Sequence, residues 1–161
     1  MVHKMNTARP TEIDALVARF FSAFDNRGGR VPDFDGLCAM FSPGAVVVSH
    51  NGITPTVSSP EQFAAPRVAL LTSGKLVEFH EWEQSSETLF FGTLATRRSF
   101  YSKSGLLAGA TYTGTGTKFF QFALFAEGWR IVALSWVDHD ANPGITEVLG
   151  GASRSPIFVA P

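Results

Sequence analysis

The sequence is short of cysteine, of charge and of long apolar runs. Cys38 is the single cysteine in 161 residues, which excludes an internal disulfide and any multi-cysteine metal site. Charged residues make up only 17% of the chain, and 13 lysines plus arginines stand against 14 aspartates plus glutamates. A formal net charge of -1 supplies no long-range field for gripping a phosphate backbone, so no nucleic-acid partner is expected. The most apolar stretch, 119–134, is broken by Gln121, Glu127 and Arg130, so no membrane span is expected. The first apolar stretch is interrupted by Asp14 and Arg19, which an export signal would not tolerate. No Asn-x-Ser/Thr site occurs either. A lone thiol without an export signal leads to the expectation of a cytoplasmic protein.

What is present is a core. Hydrophobic residues account for 45% of the chain, including 15 phenylalanines, far too many for a disordered segment and enough for one ordinary domain.

Helical spacing dominates the first half. Ile13, Leu16, Val17, Phe20, Phe21 and Phe24 mark one apolar helical face, with Thr11 expected as its cap and Asp14 returning a bond. Gly28-Gly29 ends it. Phe34, Leu37, Cys38 and Phe41 fit a second, shorter helix capped by Asp33 and closed by Pro43-Gly44. A short strand is expected over 45–49, turning at Asn51-Gly52 into an edge partner over 53–57, where Pro55 suits an edge. Ser59-Pro60-Glu61-Gln62 is a helix start with a serine cap, proline at the first helical position and a capping-box glutamine. The helix it opens runs towards Leu71, with a kink expected at Pro66.

From Leu76 the apolar period drops to two. Four long strands are expected over 76–89, 94–102, 111–125 and 129–138, turning at Gly92, within 105–109 and at Glu127-Gly128. A turn centred on Gly92 sets Glu87 opposite Arg97 and Thr88 opposite Thr96. Gly114 and Gly116 inside the third strand suggest a bulge or bend. Residues 119–125 and 131–136 are apolar on both faces, whereas a one-layer sheet covered by helices should alternate. A second copy of the chain would cover the other face, giving a homodimer through the sheet. The domain is expected to span 1–140, with a tail over 141–161 that docks through Ile157-Phe158-Val159.

This order of elements resembles the NTF2-like α+β cone, in which three N-terminal helices pack on a curved, mostly antiparallel sheet. The resemblance extends to residues, especially towards SnoaL-like and DUF4440-like bacterial members. It is carried by Glu61-Gln62-Phe63-Ala64-Ala65-Pro66-Arg67, Phe79-His80-Glu81-Trp82-Glu83, Phe91-Gly92-Thr93-Leu94-Ala95, and Gly128-Trp129-Arg130-Ile131 through Trp136. Ala95-Thr96-Arg97 is similar to an Ala-x-Arg of SnoaL-like cyclases and limonene epoxide hydrolase, whose arginine points into the cone. Trp136-Val137-Asp138 is similar to a Trp-x-Asp whose aspartate lines the pocket. The hydrolase carries an aspartate two residues after the arginine, and this chain has Ser99 there, which leaves the water-activating triad incomplete.

With Arg97 inward as the resemblance implies, alternation sends Ser99 and Tyr101 inward too. The expected pocket thus holds Asp138, Glu81 and Arg97 as candidate catalytic groups. Ser99, Tyr101 and Trp136 are its candidate binding groups. The alternative is that Glu81 and Asp138 form a buried ion pair with Arg97, or that Arg97 pairs with Glu87. Asp138-His139-Asp140 points to alternating sides, so no metal is expected, and no organic cofactor. The implied function is binding of a small hydrophobic metabolite. Two alternatives stand beside it: cofactor-free acid/base catalysis (isomerisation, dehydration or hydrolysis), and an interaction domain without a ligand.

Overall fold

A computed structural model describes residues 8–50 and 54–139. The first apolar face forms α1 (Ala8–Ser22), and its six apolar residues from Ile13 to Phe24 are all buried. The helix starts at Ala8, before the expected cap at Thr11. Pro10 in the first turn has no N–H to satisfy, and Asp14, one turn further along, reaches the sheet by accepting from Arg97 at 2.6 Å. A 3-10 turn (Arg27–Gly29) and α2 (Phe34–Cys38) follow, with the Asp33 carboxylate accepting from the Gly36 N–H at 2.9 Å. In α3 (Pro60–Thr72) the Gln62 N–H donates to the Ser59 hydroxyl and the Ser59 N–H to the Gln62 side chain, the expected capping box.

The strands are β1 (Phe41–His50), β2 (Pro55–Ser58), β3 (Leu76–Phe91), β4 (Leu94–Leu107), β5 (Ala110–Phe125) and β6 (Gly128–Asp138). They form one open six-stranded sheet in the order β2-β1-β6-β5-β4-β3. Only β1 and β6 run parallel among these pairs; the others are antiparallel. β1 begins earlier than expected because Pro43-Gly44 does not end the pairing. Instead the register with β6 shifts between Phe41 and Val46, with Gly44 at φ 73°. The Asn51-Gly52 turn and the 141–161 tail lie outside the described residues.

Three expectations about the long strands need correction. The β3–β4 turn is tighter than expected, with Phe91 opposite Leu94 and Gly92 at φ 64°, the backbone conformation glycine adopts without strain. The register therefore moves by one: Glu87 faces Arg98, and Thr88 faces Arg97. Gly105 lies inside β4, where a Cβ would come 3.0 Å from the Phe79 backbone. Finally, Gly114 and Gly116 mark no bulge, since β4 and β5 pair without interruption from Leu94–Ala123 to Leu107–Ala110. The irregularities fall in β3, after Val77 and Glu83, and at Gln121/Phe122.

Phe20 is the hub of the core. Its ring meets Phe120 of the sheet edge-on at 5.2 Å and stacks on Phe63 of α3 at 6.4 Å. Buried Asn26, just after α1, ties three elements together. Its side-chain amide donates to the carbonyls of Leu71 and Leu76, and its oxygen accepts from the Phe79 N–H at 2.7 Å.

Candidate functional site

Alternation along β4 brings Ala95, Arg97, Ser99, Tyr101 and Lys103 to the helix-covered face, and all five are buried. This row divides into two polar clusters. Arg97 and Ser99 belong to the first. The Arg97 guanidinium donates to both Glu83 carboxylate oxygens, to Asp14 of α1 at 2.6 Å and to the Thr88 hydroxyl. The Ser99 hydroxyl donates to Glu83 at 2.6 Å. Burial works against the Arg97 charge, yet Glu83 and Asp14 raise its pKa above the ordinary arginine value.

The second cluster lines a cavity of about 80 Å³ between α3 and the sheet. Phe24, Phe63, Leu70, Leu71, Leu76 and Phe79 form its apolar wall. Glu81, Tyr101, Trp136 and Asp138 line the polar end, as do Lys103, Lys118, Tyr112 and Arg67. Four of the six expected site residues therefore share this cavity. Arg97 and Ser99 do not line it; they are held by Glu83, which on β3 is two residues beyond Glu81.

The polar end is built from cross-strand neighbours. Tyr101, Gly116 and Asp138 stand in one row across β4, β5 and β6. The phenol of Tyr101 donates to Asp138 across the bare backbone of Gly116. Lys103 likewise faces Gly114 and reaches Asp138 with its Nζ at 2.9 Å. Lys118 forms an ion pair with Glu81 at 3.0 Å, and its ammonium sits 3.3 Å above the Tyr101 ring centre. Arg67 lies over the rings of Phe63 and Trp136, at 4.2 and 4.8 Å, and donates to the Phe63 carbonyl.

Electrostatics follow from this packing. Burial pushes the Asp138 carboxyl up, but Lys103, the Tyr101 hydrogen bond and Lys118 outweigh it and hold the group below the ordinary aspartate value. Burial also disfavours charge on Lys103, yet Asp138, Tyr112 and Glu81 raise it. In Lys118 burial wins over Glu81, and the amine is held below the ordinary lysine value. Burial raises Tyr101 strongly, with the neighbouring carboxylates adding to it, so the phenol stays protonated and donating. Arg67 is pulled down to about 10 by burial, against weaker support from Glu81 and Asp138. Among the described residues no group of three or more His, Cys, Asp or Glu converges on a possible metal position.

Arg67, Lys103, Tyr112 and Lys118 were missed in the sequence reading. Lys103 continues the 97, 99, 101 alternation but lies just beyond the expected end of the strand at 102. Lys118 shares its phase with Phe120 and Phe122, and two glycines opposite large residues were the available sign that β4 side chains cross β5.

No family model matches the sequence, and no curated protein matches it. Solved structures do. An NTF2-like superfamily protein from Salmonella enterica serovar Typhimurium is 15% identical, with 84% of this chain and 94% of that one covered at a TM-score of 0.68. An NTF2-like protein with a cystatin-like fold from Novosphingobium aromaticivorans is 16% identical, over 88% and 89%, at 0.65. A hexachlorocyclohexane dehydrochlorinase from Novosphingobium barchaimii is 13% identical, over 83% and 88%, at 0.63. With its helices on one face of an open, mostly antiparallel sheet, this chain has the NTF2-like, cystatin-like fold.

Proposed function

We propose that the protein binds a small, largely apolar molecule in the cavity between α3 and the sheet. The observation that carries this reading is the composition of the cavity wall: six apolar side chains together with a cluster of convergent polar groups. Small-molecule sites have this composition, an apolar body with a few convergent polar groups that fix orientation. At about 80 Å³ the cavity has roughly half the volume of a protein cavity that takes up benzene (~150 Å³), so a ring-sized ligand requires the wall to give way on binding. Toluene is a suitable probe. It should raise the melting temperature of the wild type by mass action, but not that of Leu71→Trp, whose larger ring fills the cavity. Equal responses of the two proteins, or none from the wild type, would favour an interaction domain without a ligand.

Acid/base catalysis is the second reading, favoured by Lys118. Its ammonium, paired with Glu81 at 3.0 Å and held below the ordinary lysine value by burial, would give up a proton more readily than a free lysine, with Asp138 and Glu81 as the adjoining carboxylates. A ligand recovered from the protein should then be chemically altered by the wild type and returned unchanged by Lys118→Met.

The assembly we propose is a homodimer through the outer sheet face. Phe100, Phe119 and Val137 are exposed there, and the register brings them together: Phe100 faces Thr117, which faces Val137, with Phe119 two residues along β5. Apolar clusters of this kind on a sheet mark an interface.

A further inference from the structure

We infer that Arg67 gives the cavity selectivity for a monoanionic ligand: a carboxylate on a short aromatic or aliphatic body. This inference rests on reading the cavity as a binding site and names the class of molecule it takes.

The argument is one of charge balance. The cavity wall carries three cationic side chains, Arg67, Lys103 and Lys118, and two carboxylates, Glu81 and Asp138. Each carboxylate is already taken by a lysine, Glu81 by Lys118 at 3.0 Å and Asp138 by Lys103 at 2.9 Å. Arg67 forms no ion pair with any described residue. One carbonyl, that of Phe63, accepts from it, while a guanidinium carries five N–H donors in a fixed planar fork. It lies over the Phe63 and Trp136 rings, 4.2 and 4.8 Å from their centres, and these rings, 5.3 Å from each other, pack against the same side of the group. Contact with the two rings restrains the guanidinium, and its N–H edge remains as a hydrogen-bonding surface. Burial pulls the pKa of Arg67 down to about 10, and Glu81 and Asp138, each already paired with a lysine, offset only part of the lost hydration. A planar anion meeting that edge would restore the balance with two parallel hydrogen bonds. The apolar side chains that line the cavity would take the rest of the molecule.

Neutral and anionic ligands of one shape separate this inference from the reading beneath it. Benzoate and benzyl alcohol are titrated into wild type, Arg67→Gln, Arg67→Lys and Lys75→Gln by calorimetry at pH 7, with circular dichroism to confirm that each variant is folded. Wild type should bind benzoate about tenfold or more tightly than benzyl alcohol, the difference a charge-assisted pair makes. Arg67→Gln should lose that preference, the ratio of the two affinities falling to about one. Arg67→Lys should keep part of the preference, and Lys75→Gln, altered at an exposed site, should keep all of it. Equal affinities for the two ligands in the wild type would overturn the role of Arg67 and leave the binding site standing. If benzyl alcohol binds neither the wild type nor any variant, and toluene also fails to stabilise the protein, the binding site itself is refuted.

Discussion

Tyr101 lies across Gly116, and the missing side chain is what lets its phenol reach Asp138 on the next strand. A Cβ at position 116 would fall inside the contact distance of the Tyr101 ring and hydroxyl. Gly116→Ala should therefore force the ring to move and break its hydrogen bond to Asp138. The cost expected for such overpacking is about 1–3 kcal/mol. It is measurable as a lower urea midpoint with an unchanged slope. Unaltered stability would mean that the ring has room to move aside.

Arg97 is assigned a structural task by its partners. It joins α1 to the sheet through Asp14 and Glu83, and it is nearly fully buried, although Asp14 is not. Arg97→Met should cost about 2–4 kcal/mol, mostly by leaving Glu83 without its cation. Toluene should still bind the folded fraction with close to wild-type affinity. The opposite pattern, full stability with binding lost, would put Arg97 in the binding site after all.

Asn26 offers a separate check of the fold. Three side-chain hydrogen bonds from one buried amide hold the end of α1 to Leu71, Leu76 and Phe79. Asn26→Ala leaves two carbonyls and one N–H short of a partner, so a loss of about 3 kcal/mol is expected. A loss below about 1 kcal/mol would indicate that water replaces the amide.

Periodicity carried the architecture well, and its limits are visible in single residues. The long strands were legible from the two-residue alternation of β4 and from the turn glycines and β-branched or aromatic runs of the others, and α3 because Ser59 and Gln62 form a capping box that needs no tertiary support. The β3–β4 register was not, since matching Glu87 with Arg97 ignored that Gly92 permits a two-residue turn. That one-residue difference sends the exposed Arg98 to Glu87 and leaves Arg97 with Thr88 across the strand. The cavity was half legible. Asp138 and Tyr101 follow from alternation and resemblance, but Arg67 sits on a helix with little amphipathic pattern, and only packing against Phe63 and Trp136 reveals which way it faces.

Acid should act on the site through Asp138. Its pKa is lower in the folded protein than in the unfolded chain, so the folded state is favoured above the unfolded value and loses that advantage as pH falls through the folded one. Asp138→Asn should therefore be less stable than wild type at pH 7, with the gap narrowing below pH ~4. A gap that stays constant from pH 7 to pH 2 would show that the charge on Asp138 contributes nothing.

A native mass spectrum of the freshly purified protein bears most directly on the whole interpretation, because it reports subunit number and retained small molecules together. The expected spectrum is a dimer carrying a discrete adduct of small mass, with Phe119→Lys shifting it to monomer and Leu71→Trp removing the adduct. A bare monomer, unchanged by either substitution, would contradict both the outer-face interface and the occupied cavity.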